Sequence, residues 1–140
     1  MSKINAAITA VGAYVPDYVL TNQILETMVD TNDEWITSRT GIKERRILKE
    51  KGQGTSFLAI KAANDLIKKR GINPKDIELV IVATATPDMK AASTAAFTAT
   101  QIGATNAFSF DLEAACSSFL FGMSTAAKYV ESGRYNNVLL

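Results

Sequence analysis

Apolar positions along the chain follow two rhythms, and the changes from one to the other lay out the expected elements. The run AAITAVGAYVP reads as a first strand closed by Pro16, and LTNQILETMVD as a short helix capped by Thr21 or Asn22. A second helix start follows in TNDEWITSRTG, where Thr31 and Glu34 have the spacing of a capping box and Gly41 supplies the stop. On that helix Trp35 and Arg39 stand four apart and share one face. KERRILK alternates weakly, as an exposed edge strand would, and Gly52 and Gly54 mark a loop before TSFLAIKAANDLIKKRG. There Phe57, Ile60, Ala63 and Ile67 recur at helical spacing until Gly71 and Pro74 end the run. ELVIVATATP is continuous, apolar and β-branched, which predicts a strand covered on both faces, and STAAFTATQIG predicts a short helix.

The last third repeats that order. AFSFDL reads as a strand, EAAC as a turn, and a helix runs from about Ser117 to Ser132 with Gly133 as its stop. Phe119, Leu120, Met123, Ala126, Ala127 and Val130 line one side of it, and Phe121, Gly122 and Ser124 leave little polar surface elsewhere, so a buried helix is expected. NNVLL then opens another apolar strand, within which the chain stops. Strands alternating with helices predict a layered α/β fold with a mostly parallel sheet, and the stop inside a strand predicts a piece of a larger protein.

Composition narrows the class. With 140 residues and 47% hydrophobic content, one domain with a sizeable core is expected. Fifteen Lys and Arg against fourteen Asp and Glu leave a net charge of +1, so no overall field argues for nucleic acid, a membrane surface or a strongly acidic partner. The basic groups Lys43 to Lys51 and Lys68 to Arg70 read as solvated faces or helix C-terminal charges. No stretch resembles a signal peptide or a membrane span, which makes the cytoplasm the expected compartment. With no histidine and one cysteine, neither a disulfide nor a metal site is expected.

That cysteine, Cys116, is the candidate chemistry. It lies where a strand passes into a helix, flanked by Ala114, Ala115, Ser117 and Ser118. A free cysteine is often a small core residue. A helix start, however, presents unpaired N–H groups and a positive dipole end, and small neighbours leave room for a substrate to reach sulfur. The dipole contributes about 0.3 to 1 kcal/mol, too little by itself to hold a cysteine as thiolate at neutral pH. A base is wanted, ordinarily histidine, and the chain has none. Either Cys116 is inert or its partners lie beyond Leu140.

The strings VGAYVPDYVLTN, MVDTNDEWITSRTGIKERRI, VIVATATPD and FDLEAACSSFLFG, in that order, resemble the β-ketoacyl-acyl carrier protein synthases of type III, the initiating condensing enzymes of bacterial fatty acid synthesis. The resemblance spans essentially the whole chain and implies the first half of a thiolase-like fold. It implies that Cys116 takes an acyl group from acyl-CoA, which then condenses with malonyl-acyl carrier protein with loss of CO2, and that the protein is a homodimer needing no cofactor beyond the coenzyme A thioester. It also implies that the family's histidine and asparagine lie in a second half, so that these 140 residues alone should not condense.

Three further assignments follow from the resemblance. Thr31, Trp35 and Arg39 match residues that receive the nucleotide end of coenzyme A, where an indole can stack on adenine and a guanidinium can pair with phosphate. Ala91 and Ala92 fall where many relatives carry a bulky apolar residue, which closes the far end of the acyl pocket of the other protomer, and a proline, so Ala91 predicts room there for longer or branched starters. Met89 or Lys90 folding into the gap, or collapse of the loop that lacks the proline, is the alternative there. Two other readings of the whole stay open: a related acyltransferase or synthase of secondary metabolism, and a non-catalytic assembly half with Cys116 in its core.

Overall fold

The structure is a computed structural model that describes residues 4–140, and it divides into two units, residues 15–53 and residues 54–140 with the stretch up to Tyr14.

The smaller unit grows around one buried side chain. Strand β1 (Val19–Thr21) pairs antiparallel with β2 (Glu44–Arg46), Leu20 facing Arg45. Thr21 ends the strand and caps helix α1 (Asn22–Glu26) by accepting from Ile24 N–H. Asn22, fully buried, has its amide split between elements: Nδ2 donates to Asp33 Oδ1 at 2.7 Å and to the Ile42 carbonyl at 2.8 Å, while Oδ1 accepts from Arg45 at 2.9 Å. One side chain thus ties the start of helix α2 (Asp33–Thr40) to the hairpin. The cap of α2 is Asn32, which accepts from Trp35 N–H at 2.7 Å, so the Thr31–Glu34 capping box is corrected by one residue. Asn binds its own helix start as well as Thr does, and spacing alone did not separate them. Gly41, at φ 73°, closes α2 in the left-handed conformation that glycine adopts without a Cβ penalty.

The larger unit is a parallel sheet between helices. Helix α3 (Thr55–Arg70) precedes strand β3 (Leu79–Ala83), then α4 (Thr94–Gln101), β4 (Phe108–Leu112), α5 (Ser118–Glu131) and β5 (Val138–Leu139). The strand order is β4-β3-β5, all parallel, with Val80 beside Ser109 on one side and Leu139 on the other. The chain moves one way from β3 to β4 and back past β3 to reach β5, so right-handed crossovers put α4 and α5 on opposite faces. Val80 packs with Ala63 of α3 and Ala95 and Ala99 of α4, and Val82 lies against that cluster. Leu79 and Ile81 are also buried and alternate to the face of α5. Burying each such side chain is worth about 1.5 to 3 kcal/mol. The prediction of a strand covered on both faces holds.

Two expectations are corrected. The stretch AAITAVGAYVP forms no strand. Gly12 instead lies so close to α3 that a Cβ would strike the Ala62 carbonyl and Leu66, and Ala13 N–H donates to Asp65 of α3 at 3.0 Å. Lys69, then that N–H, hold the Asp65 carboxyl below its ordinary value. A backbone spent on a helix side chain makes no ladder there, and an apolar run cannot announce which partner it will meet. Helix α5 stands where the sequence places it, but its burial is one-sided. Ser118 and Gly122 are buried, the latter against Leu140, whereas Phe119, Leu120 and Phe121 are 58%, 64% and 57% exposed. Small residues permit close approach to the sheet and turn the large ones outward. No helix among the described residues is long and apolar enough to cross a membrane.

Candidate active site

Cys116 lies in a 3-10 turn, Ala115–Ser117, between the end of β4 and the start of α5. Its place is a strand–turn–helix junction at the C-terminal edge of the parallel sheet, where ligands of open α/β sheets bind. Among the described residues Ala115 is the one non-glycine with positive φ, 46°, and such a residue is held by its surroundings rather than by its own preference. The turn is closed by Ser117 N–H donating to the Ala114 carbonyl at 3.0 Å, with further bonds to the side chain of Ser118. The result is an exposed thiol on a sharp turn. That overturns the alternative of Cys116 as a core residue of this chain.

Ala91 sits in the loop between β3 and α4, exposed, at the same edge of the sheet, since β3 and β4 are parallel neighbours. Both ends of that loop are fastened by carboxylates. Asp88 accepts from Ser56 N–H at 3.0 Å and caps α3, whose own cap position is Gly54; a Cβ on Gly54 would strike the Asp88 carboxylate. At the other end Asp111 reaches from β4 to the start of α4 and accepts from Thr94 N–H and Ala95 N–H, each at 2.7 Å, and from the Ser93 hydroxyl at 3.1 Å. Sequence reasoning missed both. Asp111 had a signal, a charge inside an otherwise apolar strand; Asp88 had none beyond its place after Pro87.

In the smaller unit, Trp35 is 52% exposed on α2 with the Arg39 guanidinium 4.5 Å from its ring centroid. The structure thus brings together the pair expected on one face, a cation over an indole. Thr31 stands two residues before α2, half-buried and free of the capping role. Asn22, which holds α2 in place, was legible only as a possible cap.

The topology and this site define the class: a thiolase-like α/β fold, first half only. Residues 110–140, which carry Cys116, match the family model described as 3-oxoacyl-[acyl-carrier-protein (ACP)] synthase III. Over all of its 140 residues the chain is 58% identical to β-ketoacyl-[acyl-carrier-protein] synthase III 2 of Bacteroides thetaiotaomicron, covering 42% of that relative. Among solved structures, 3-oxoacyl-[acyl-carrier-protein] synthase III of Aquifex aeolicus superposes with a TM-score of 0.88 at 42% identity, over 97% of this chain and 42% of that one. The priming β-ketosynthase of the R1128 polyketide pathway superposes with a TM-score of 0.83 at 37% identity, over 89% of this chain and 37% of that one. Over its whole length the chain is similar to the β-ketoacyl-[acyl-carrier-protein] synthases III, and it spans about two fifths of the length of those relatives.

Proposed function

We propose that this chain is the nucleophile-bearing part of an initiating condensing enzyme. Cys116 sulfur attacks the carbonyl of an acyl-CoA, the carbon–sulfur bond to coenzyme A breaks, and coenzyme A leaves as the thiol. The Cys116 thioester then condenses with malonyl-acyl carrier protein, which loses CO2, to give a 3-oxoacyl-acyl carrier protein. The reading is carried by one observation: the only cysteine is exposed on a turn held at positive φ, inside the segment that matches the family model. Since the chain has no histidine, the base and the groups that stabilise the enolate come from outside these residues, and the 140 residues alone do not condense. Trp35 and Arg39 receive the adenine and phosphate of coenzyme A, with Thr31 beside them. Ala91 leaves the far end of the acyl pocket open to longer or branched starters. The working protein is a homodimer of the cytoplasm and needs no cofactor other than its thioester substrate.

The likeness to a priming polyketide synthase supports a second reading with the same acyl transfer to Cys116 and a different starter or acceptor. The deciding experiment incubates the full-length gene product with labelled acyl-CoA and maps the label by digestion. Label on Cys116, lost in Cys116→Ala, is expected; acylation that survives the substitution rejects the proposal. Trp35→Ala and Arg39→Ala should each weaken acyl-CoA binding by about 1 to 3 kcal/mol while use of malonyl-acyl carrier protein suffers much less. Equal losses for both substrates with a lowered Tm would mean that the pair only supports the fold.

A further inference from the structure

The turn that carries Cys116 is built on a backbone conformation that alanine disfavours, so something must hold it. Ala115 has φ 46°, and Ala114 before it is also irregular, at φ −151° and ψ 38°. Their own backbone bonds, Ser117 N–H to the Ala114 carbonyl and Ser118 N–H to the Ala115 carbonyl, are those of any 3-10 turn and call for no positive φ. The Ser118 side chain supplies what is missing. Its hydroxyl oxygen accepts from Ala114 N–H at 2.7 Å, just past the last ladder position of β4, and its hydrogen donates to the Ala115 carbonyl at 2.8 Å. The side chain is buried, with the residue 4% exposed, so neither bond competes with bulk water.

Ser118 is the first residue of α5, and its hydroxyl does not serve that helix. A capping serine precedes its helix and accepts from an N–H two or three residues downstream; this one accepts from four residues upstream. The two groups it joins lie on either side of Ala114 and Ala115, so one hydroxyl restrains both residues at once. The carbonyl it holds also belongs to the peptide that carries the Cys116 N–H. Fixing that plane fixes the Cα of Cys116, the point from which its side chain projects.

We propose that Ser118 is a positioning residue for the Cys116 nucleophile: its hydroxyl keeps Ala115 left-handed and thereby sets how the thiol meets the acyl-CoA carbonyl. This rests on the reading of Cys116 as the acylated residue. Displacing a reacting atom by about an ångström can cost up to a hundredfold in rate. Ser118→Ala should therefore slow acylation of the full-length protein by about tenfold or more in kcat with KM for acyl-CoA little changed, whereas Ser118→Thr, which keeps the hydroxyl, stays near wild type. Glycine adopts positive φ without the Cβ penalty, so Ala115→Gly placed in the Ser118→Ala background should restore several-fold of the lost rate. A purely structural role would lower Tm and leave the acylation and alkylation rates of the folded protein unchanged.

The same variants are scored by the second-order rate of Cys116 alkylation with iodoacetamide and by Tm. Acylation and alkylation of Ser118→Ala within twofold of wild type would overturn the proposal. So would losses that track a fall in Tm and that Ala115→Gly leaves untouched. Alkylation also keeps the two ideas apart: if label from acyl-CoA persists in Cys116→Ala, the functional reading fails, while the alkylation rates still report whether Ser118 governs the presentation of the thiol.

Discussion

Helices α4 and α5 begin at the same edge of one sheet, after adjacent strands, and they begin in opposite ways. The start of α4 is overdetermined. Ser93 caps it by accepting from Ala96 N–H, and Asp111 adds two further N–H partners and a charge of the sign that a helix N-terminus favours. The start of α5 has no side-chain cap, and the 3-10 turn before it holds a left-handed alanine and an exposed cysteine. Even α3, whose cap position is a glycine, borrows Asp88. Carboxylates thus complement two helix starts and none caps the third, where, on the acyl transfer proposed for Cys116, a fixed negative charge would oppose the attacking sulfur. If Cys116 is the acylated residue, as proposed, stability and presentation are separate demands met at different helix starts.

The largest break in this contrast is at Asp111. Asp111→Ala leaves two N–H groups and a hydroxyl without their acceptor, and should cost about 2 to 3 kcal/mol of stability in urea denaturation of the full-length protein. Acylation measured on the folded fraction should change far less, because Cys116 stands in the turn before the other helix. A smaller effect comes from giving α5 what α4 has. Ser117→Asp should shift stability by no more than about 0.5 kcal/mol in either direction, yet slow iodoacetamide alkylation of the thiol severalfold. Unchanged alkylation would show that the missing carboxylate is incidental.

The smallest effect sharpens the comparison at the opposite edge of the sheet. Glu78 accepts from Asn136 N–H and Asn137 N–H at the turn into β5, and those bonds, in that order, lower its carboxyl below the ordinary glutamate value. With its folded pKa depressed, Glu78 contributes stability above the unfolded value of about 4.3, and that contribution is lost as pH falls through the folded value. Glu78→Gln should flatten the acid side of the stability profile and leave neutral pH nearly unaffected. An unchanged acid slope would mean that this carboxylate binds no differently in the unfolded chain.

Much of the element order was legible, and particular residues say why. The β-branched run Leu79–Ala83, the helical spacing of Phe57, Ile60, Ala63 and Ile67, and the left-handed glycines Gly41, Gly71 and Gly133 are local properties, written in adjacent residues. The position of Cys116 between strand and helix was legible for the same reason. Three misreadings mark where local reasoning ends. The stretch before Pro16 lies on α3 because Ala13 and Asp65 meet across more than fifty residues; Asn32 takes the cap that spacing offered to Thr31; and α5 turns its phenylalanines outward because its small residues face the sheet.

The sequence by itself determined the alternation of strand and helix, the lone thiol and the pairing of Trp35 with Arg39, since periodicity, turn chemistry and side-chain type act over a few residues. Only the tertiary structure decided which carboxylate serves which helix, where the hydroxyl of Ser118 points and which face of α5 is covered. The physical reason is distance along the chain. Asp88 reaches back thirty-two residues to Ser56, and Asp111 seventeen to Thr94, and a hydrogen bond at that separation exists only once the sheet has brought its two ends together.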